Sequence, residues 1–328
     1  MSSRRIGWIS SLILTVGVAG CGGKRRPEAP PAPPPATPER RVDTLLVDHP
    51  SSLETVMAAL AARLQAGRPG VVVRRRSEGS VDLVRRATEP SETPDVLAVA
   101  DYSLIPQLQP PLRASWFVVF ARNAMVLAYT DRSAFAADIR PANWTDVLLR
   151  PGARVGRADA TRDPAGYRAV LLFRLAALHY GRPGLAAALE RASTTAIPAP
   201  HRTLYEALAA GALDYVITYR STARVRGFHA VELPDDVNLS DPTRSVFYTR
   251  ATVGVPLRSG GADSLIRGEP ILYGATVPSG ARHRALGEQF VRELLSAQGR
   301  ELLAEWGFLL PERAIERGTL PPAVRPEQ

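Results

Sequence analysis

The chain has 328 residues, of which 45% are hydrophobic and 22% are charged. This length and composition predict two modest globular domains with apolar cores. The formal net charge is +9, but residues 1–41 contribute +5 of it, with seven basic and two acidic side chains. The remainder is close to charge balance, which excludes the strongly basic surface expected of a nucleic-acid-binding protein.

The first residues are typical of an export signal. Arg4 and Arg5 precede an apolar run, Ile6 to Val18, that is too short to span a bilayer stably. The following segment, Val18-Ala19-Gly20-Cys21, resembles the lipobox of bacterial lipoproteins, in which the cysteine becomes the lipidated N-terminus. Residues 1–21 are therefore predicted to be a lipoprotein signal peptide, with lipidation at Cys21 and anchoring to the outside of a cell membrane. An ordinary signal peptide with a chance cysteine is the alternative.

The next segment has the composition of a tether. Residues 22–41 begin with two glycines and hold seven prolines between Pro27 and Pro38, which favour an extended polyproline II conformation. Cys21 is the only cysteine, so the sequence excludes intrachain disulfides and Cys-based metal sites.

Strands and helices alternate after the tether. Buried strands are predicted at Thr44 to Val47, Val71 to Arg75 and Asp95 to Ala100, with helices between them, and this order predicts parallel βαβ units. The β-rich run Trp116 to Tyr129 is interrupted at Arg122-Asn123 and is interpreted as a crossing between lobes. The predicted fold class is α/β, a type II periplasmic binding protein fold with two α/β lobes joined by crossing strands. Lobe 1 comprises residues 42–121 and 241–328, and lobe 2 comprises residues 122–240.

Several local predictions accompany this fold. Ser51 and Glu54 have the spacing of a capping box for a helix that buries Leu53, Met57, Leu60 and Leu64. The run Val246 to Val255 is predicted to be a strand that returns to lobe 1, and so is Ile271 to Val277. The chain is predicted to close with one amphipathic helix from Ala285 to Trp306.

The segment Asp163-Pro164-Ala165-Gly166-Tyr167-Arg168 predicts a helix start. Asp is a preferred N-cap, and proline fits the first helical position. An apolar stripe follows at Val170, Leu171, Leu175 and Leu178. Two Ser-bearing loops elsewhere also lead into helices. If all three meet in one cleft, the helix N-termini would favour an anion there; simple capping is the alternative.

Five blocks of the sequence together resemble one family, the tungstate/molybdate-binding proteins of ABC transporters in the WtpA-like branch of the molybdate-binding family. They stand in the family's order, and the resemblance covers about residues 44–310. The blocks are Asp101 to Pro106, Asn123 to Asp131, Asp163 to Arg168, Leu233 to Pro242 and Tyr273 to Pro278.

The resemblance implies a set of ligand-binding residues. Ser51-Ser52 falls where the family has Gly-Ser, so the hydroxyl and N–H of Ser52 would donate to an oxyanion oxygen, and Ser80 matches the Ser of the family's Gly-Ser-Val turn. Asp163 matches the aspartate expected to coordinate the metal of the oxyanion, with the N–H groups of Ala165 and Gly166 nearby. Thr218 falls where the family typically has a second coordinating glutamate, and Ala165 replaces its usual cysteine.

The function implied by the resemblance is a monomeric, lipid-anchored receptor that captures molybdate or tungstate and delivers it to an ABC permease. We expect it to need no cofactor, to bind no nucleic acid and not to be an enzyme. Two alternatives remain open. The ligand could be another oxyanion such as sulfate or phosphate, or the chain could be a non-transport lipoprotein, a sensor or scaffold with a relic site. For Ser51, Ser52 and Ser80, capping or turn roles are the competing interpretations.

Overall fold

A computed structural model of the chain describes residues 43–86, 93–108, 113–197, 203–255 and 264–325. The predicted signal peptide, the lipidation site Cys21 and the proline-rich tether lie outside these residues. All of the described residues belong to one compact unit, residues 41–328. None of the helices in these ranges is long and apolar enough to cross a bilayer.

Strands and helices alternate through the first half of the described chain. In order they are β1 (Asp43–Pro50), α1 (Glu54–Gly67), β2 (Val71–Glu78), α2 (Ser80–Arg86), β3 (Val96–Val99), β4 (Trp116–Arg122), β5 (Met125–Tyr129), α3 (Trp144–Leu148), β6 (Val155–Arg157) and α4 (Pro164–His179). Two 3₁₀ turns, Ser51–Leu53 and Tyr102–Gln107, follow β1 and β3.

The second half contains shorter elements and two C-terminal helices. They are α5 (Leu185–Ala192), β7 (Ser193–Thr194), α6 (Leu204–Ala209), β8 (Tyr215–Tyr219), α7 (Arg220–Val225), β9 (His229–Glu232), α8 (Asp235–Asn238), α9 (Ser245–Tyr248), β10 (Thr252–Val255), β11 (Ser264–Arg267), β12 (Leu272–Thr276), α10 (Arg284–Leu295), α11 (Ala297–Glu305) and β13 (Ile315–Gly318).

The larger sheet has six strands in the order β13-β4-β12-β3-β1-β2. β1 pairs in parallel with both β2 and β3, which confirms the predicted βαβ units. β12 pairs antiparallel with β3 and β4, so the late strand does return to the first sheet as predicted. All four residues of β3 are buried, as expected for a strand covered on both faces.

The second sheet has five strands in the order β7-β6-β8-β5-β9. β4 ends at Arg122 in the six-stranded sheet and β5 begins at Met125 in the five-stranded sheet, so the chain crosses between the sheets through Asn123 and Ala124. This confirms the predicted crossing. Backbone hydrogen bonds fix it on both sides: the amide of Asn123 donates to Ile271 over 3.2 Å, and Arg122 and Leu309 exchange two hydrogen bonds.

Helix α4 is almost entirely buried, and it belongs to one apolar core that includes residues of both sheets. Asp163 is its N-cap and Pro164 opens its first turn, as the sequence predicts. The predicted stripe is wrong at one position, because Leu178 is 38% exposed. Leu178 lies in the last turn, where the helix leaves the core.

Three local predictions are wrong. Ser51 and Glu54 form no capping box: Pro50 caps the 3₁₀ turn, α1 has no side-chain cap, and Glu54 pairs with Arg75 instead. The run Val246 to Val255 is not one strand, because it holds helix α9 and then β10, which pairs only with β11 among the described strands. The predicted helix Ala285 to Trp306 is two helices, since Ser296 ends α10 and caps α11 by accepting the amide of Gly299.

Candidate functional site

The serine pair that follows β1 places one side chain outward and one inward. Ser51 is exposed, and its side chain makes no capping hydrogen bond. Ser52 is half-buried, and its Oγ lies 3.0 Å from the hydroxyl of Tyr273 on β12. The sequence assigned both serines to the ligand; the structure gives a polar partner in the protein interior to Ser52.

Ser80 is fully buried at the first position of α2. Its Oγ accepts the backbone N–H of Ala100 over 3.0 Å. Because this contact uses an oxygen lone pair, the hydroxyl proton of Ser80 remains available to donate. A donor of this kind, held at a fixed position by the backbone of the next strand, suits an anion.

Asp163 precedes α4 and faces the same region from the second lobe. Its Oδ1 accepts the amide of Ala165 over 2.8 Å, and its carbonyl oxygen accepts the amide of Gly166 over 2.9 Å. Both amides that the sequence assigned to the ligand are thus bonded to Asp163 itself. Oδ2 makes no hydrogen bond within the described part of the structure.

Burial raises the pKa of Asp163, and the nearby carboxylate of Asp82 acts in the same direction. The Ala165 amide and the guanidinium of Arg168 oppose this shift without cancelling it. A desolvated carboxylate gains more from a cationic centre than a hydrated one does. The Asp163 carboxyl is therefore largely desolvated, and a charged partner interacts with it more strongly than it would in water.

Thr218 is fully buried on β8, and its hydroxyl lies 2.9 Å from that of Tyr205 on α6. Burial is the main cause of the raised pKa of Tyr205, and the carboxylate of Asp163 raises it further. Tyr205 is therefore within electrostatic range of Asp163. The guanidinium of Arg226 covers the Tyr205 ring at 4.3 Å from its centroid. Two hydroxyls thus occupy the position where the resemblance implies a second carboxylate.

These side chains converge although they come from distant parts of the sequence. Gly79, beside Ser80, lies so close to the second lobe that a Cβ on it would be 3.2 Å from the Cβ of Asp163. Burial, and to a smaller extent the carboxylate of Asp163, raises the pKa of Tyr273, the partner of Ser52. Ser80 and Asp163 therefore lie close together where the two lobes join, and Ser52 is linked to the same region through Tyr273.

An ion pair spans the same junction at its edge. The Nε of Arg162 donates to Oδ2 of Asp82 over 2.7 Å, and Arg162 is 67% exposed while Asp82 is 19% exposed. Asp82 lies on α2 of the first lobe, and Arg162 directly precedes Asp163 in the second. The structure thus describes a closed arrangement of the two lobes.

Sequence reasoning missed several polar residues at the junction. They are Asn123, Arg168, Tyr205 and Tyr273. Nη1 of Arg168 donates to the carbonyl oxygen of Ala100 over 2.7 Å and to the Tyr219 hydroxyl over 2.9 Å. Two signals were present: Asn123 interrupts a β-rich run, and Arg168 is a charged residue on the apolar side of a helix. Within the described ranges, no group of three His, Cys, Asp or Glu side chains could hold a metal ion.

The fold and this junction define a class of protein: two α/β lobes of the type II periplasmic binding fold, closed over a small polar site. The chain belongs to the family of bacterial extracellular solute-binding proteins, whose model matches residues 45–309. This is a family of transport proteins that bind solutes outside the cytoplasm, not a family of enzymes.

Individual relatives confirm the resemblance to the WtpA-like branch. The molybdate/tungstate-binding protein WtpA of Pyrococcus abyssi is 30% identical over 97% of this chain and 96% of its own. WtpA of Thermococcus kodakarensis is 31% identical over 98% of this chain and 96% of its own. The solved structure of the Azotobacter vinelandii periplasmic molybdate-binding protein shares the fold, with a TM-score of 0.56 at 15% identity over 82% of this chain and all of that chain.

Proposed function

We propose that this protein is an extracytoplasmic receptor that captures molybdate or tungstate between its two lobes and delivers it to an ABC permease. The observation that carries the proposal is the convergence of two serine hydroxyls and one unpaired carboxylate oxygen at the junction between the lobes. The hydroxyls of Ser52 and Ser80 would donate to oxyanion oxygens. Oδ2 of Asp163 would approach the metal itself.

This combination selects among oxyanions by their central atom. Molybdenum and tungsten are large and can accept additional oxygen ligands, whereas the sulfur of sulfate cannot. A carboxylate therefore attracts a molybdate or tungstate centre and repels sulfate. With Thr218 and Tyr205 where a second carboxylate would stand, one protein carboxylate, Asp163, is available to the metal.

The proposal extends to how the receptor works in the cell. The lipobox-like segment ending at Cys21 and the proline-rich residues 22–41 support attachment to the outside of the membrane through a lipid and a flexible tether. We further infer a monomer that needs no cofactor, since both lobes of the site belong to one chain. Hinge closure on the ligand presents the closed form to the permease.

Isothermal titration of the purified protein with tungstate, molybdate, sulfate and phosphate tests the proposal. We expect binding of tungstate and molybdate, with sulfate much weaker. Ser52→Ala is expected to weaken tungstate binding by roughly tenfold to a hundredfold, the value of a hydrogen bond to an anion. Its matched control is Ser51→Ala, because the neighbouring side chain is exposed. Absence of heat with tungstate and molybdate would exclude the proposed ligands.

A second candidate ligand is favoured by one observation, the hydroxyl pair at Thr218 and Tyr205. Hydroxyls can hold a plain tetrahedral oxyanion such as sulfate or phosphate without entering its coordination sphere. Tight binding of either anion in the same titration, with tungstate weak, would support this candidate. If none of the four anions binds, the non-transport lipoprotein becomes the better interpretation.

A further inference from the structure

Four polar side chains form a continuous chain of hydrogen bonds that starts at the crossing between the lobes. Nδ2 of Asn123 lies 2.7 Å from Oγ of Ser221 and 3.2 Å from the hydroxyl of Tyr273. The Tyr273 hydroxyl lies 3.0 Å from Oγ of Ser52. Asn123, Ser221 and Tyr273 are fully buried, so each of their polar atoms needs a partner.

The backbone fixes the orientation of the Asn123 amide. Its Oδ1 accepts two N–H groups, that of Ala124 at 3.0 Å and that of Ser221 at 3.3 Å. An acceptor is required at this position, so the NH₂ group must point the other way. Nδ2 can only donate, and the Tyr273 hydroxyl must therefore accept from it.

The hydrogen bond from Asn123 to Tyr273 also determines the direction of the hydrogen bond between Tyr273 and Ser52. Since Tyr273 accepts from Asn123, its own proton needs an acceptor, and Ser52 Oγ is the remaining polar neighbour in the described residues. If Ser52 donated to Tyr273 instead, the phenol proton would be buried without a partner, an unfavourable arrangement. Burial also raises the pKa of Tyr273, so the phenol keeps its proton at neutral pH.

We propose that Asn123 is a positioning residue that, through Tyr273, orients the hydroxyl of Ser52 so that its proton points to the bound oxyanion. This inference rests on the proposed function, because Ser52 donates to the ligand there. The chain is anchored where β4 becomes β5 and at Ser221, the second residue of α7. The direction of the Ser52 hydroxyl is thus determined by Asn123, in the segment that joins the two lobes.

A double-mutant cycle with tungstate titration tests the proposal. Tyr273→Phe keeps the ring but removes the relay, and Asn123→Asp keeps the acceptor for the two backbone amides but replaces the NH₂ donor. Each is expected to weaken tungstate binding about tenfold. In the Ser52→Ala background, the same substitutions are expected to change affinity by less than about twofold, because the hydroxyl that they orient is gone.

Ser221→Ala is the matched control. It removes the other acceptor of Asn123 Nδ2 but keeps the backbone N–H and the contact to Tyr273, so tungstate affinity should stay unchanged. Equal losses with and without Ser52 would overturn the proposal, because they would show that Asn123 and Tyr273 act through hinge closure or packing. Unchanged affinity in both single variants would overturn it as well. If Asn123→Asp does not fold, the cycle of Tyr273→Phe with Ser52→Ala decides.

A measurement without ligand separates this inference from the proposed function. In the NMR spectrum of the unliganded protein, a slowly exchanging Tyr273 hydroxyl proton should show a nuclear Overhauser effect to the β-protons of Ser52. Failure of all oxyanions to bind, with this contact present, would remove the proposed function and leave the hydrogen-bond direction intact. Contacts from that proton to the Asn123 amide alone would overturn the direction.

Discussion

The guanidinium of Arg168 donates from Nη1 to the carbonyl oxygen of Ala100 over 2.7 Å, and both groups are buried. Arg168 lies on α4 of the second lobe, whereas Ala100 directly follows β3 of the first. The amide of the same alanine donates to Ser80 Oγ. The backbone of Ala100 therefore contacts the Ser80 hydroxyl through its amide and the guanidinium of Arg168, from the opposite lobe, through its carbonyl.

Replacing this cation should be strongly destabilising. Arg168 Nη2 lies 3.4 Å from Oδ2 of buried Asp101, and the hydroxyl of Tyr167 donates to the same oxygen. Without Arg168, the Tyr167 hydroxyl would be the remaining side-chain partner of this oxygen. We expect Arg168→Met to lower the free energy of unfolding by about 3–5 kcal/mol, as measured by urea denaturation. Arg168→Met combined with Asp101→Asn should regain most of it. Equal instability of the single and double variants would show that lost packing, rather than an unpaired charge, is the cause.

Asp163 can be tested for two separable roles, capping and ligand coordination. Asp163→Asn keeps an N-cap acceptor for the Ala165 amide, so its stability should stay close to that of the wild type. Asp163→Ala removes the cap and should cost about 1 kcal/mol in thermal or urea unfolding. Both variants should lose tungstate affinity by at least about tenfold, because both lack the carboxylate. Unchanged affinity in the asparagine variant would reduce Asp163 to a cap.

If the proposed site is correct, the residue at position 218 sets how many carboxylates face the ligand. Thr218→Glu adds one, but the position is fully buried and 2.9 Å from the Tyr205 hydroxyl, so overpacking should cost about 1–3 kcal/mol of stability. Thr218→Glu with Tyr205→Leu makes room for the larger side chain. We expect this pair to tighten tungstate relative to sulfate, as measured by the ratio of the two Kd values.

Tyr205→Leu alone is the control for the Thr218 variants, since it makes the same space without the carboxylate. A ratio that is the same in the control and in the pair would contradict the assignment of Thr218 to the metal-facing side. Tighter sulfate binding in the pair would do so as well.

We expect Glu269 to make the stability of the protein depend on pH. Burial, and then the carboxylate of Asp101, raises its pKa from 4.5 to about 7. The folded protein therefore retains a proton between these values that the unfolded chain has released, so stability falls as pH rises from 4.5 through 7. We expect a loss of about 1 kcal/mol from this group after allowance for solvent screening. Glu269→Gln should flatten the profile over this interval, and an unchanged slope in urea unfolding would exclude Glu269 as its source.

The change from one sheet to the other could be predicted from the sequence because it depends on local signals. Apolar runs such as β3 and β8 are buried on both faces, and the interruption at Asn123 falls where the chain changes sheets. The N-cap at Asp163 was predicted from residue types alone, since a carboxylate followed by proline has few other local solutions. The predicted lobe boundaries stay predictions. So do the ligand roles of all the predicted site residues, Ser51, Ser52, Ser80, Asp163, Ala165, Gly166 and Thr218.

Partners that are far apart in sequence could not be predicted. Glu54 has the spacing of a capping residue, but Arg75 on the neighbouring strand competes for it and pairs with it. Tyr205 and Thr218 look unremarkable separately, and their shared hydroxyl contact depends on how α6 packs against β8. The same holds for Tyr273, which meets Ser52 across 221 residues of sequence.

The contact between Asp82 and Arg162 marks a place where opening of the two lobes could be followed. The pair lies at the outer edge of the junction, and the two side chains belong to opposite lobes. Rotation about the crossing at Asn123 and Ala124 would separate them before it disturbed either sheet. Environment-sensitive dyes attached near these two positions should therefore change their emission as the lobes open. If the proposed function is correct, the labelled protein would report the oxyanion concentration around it.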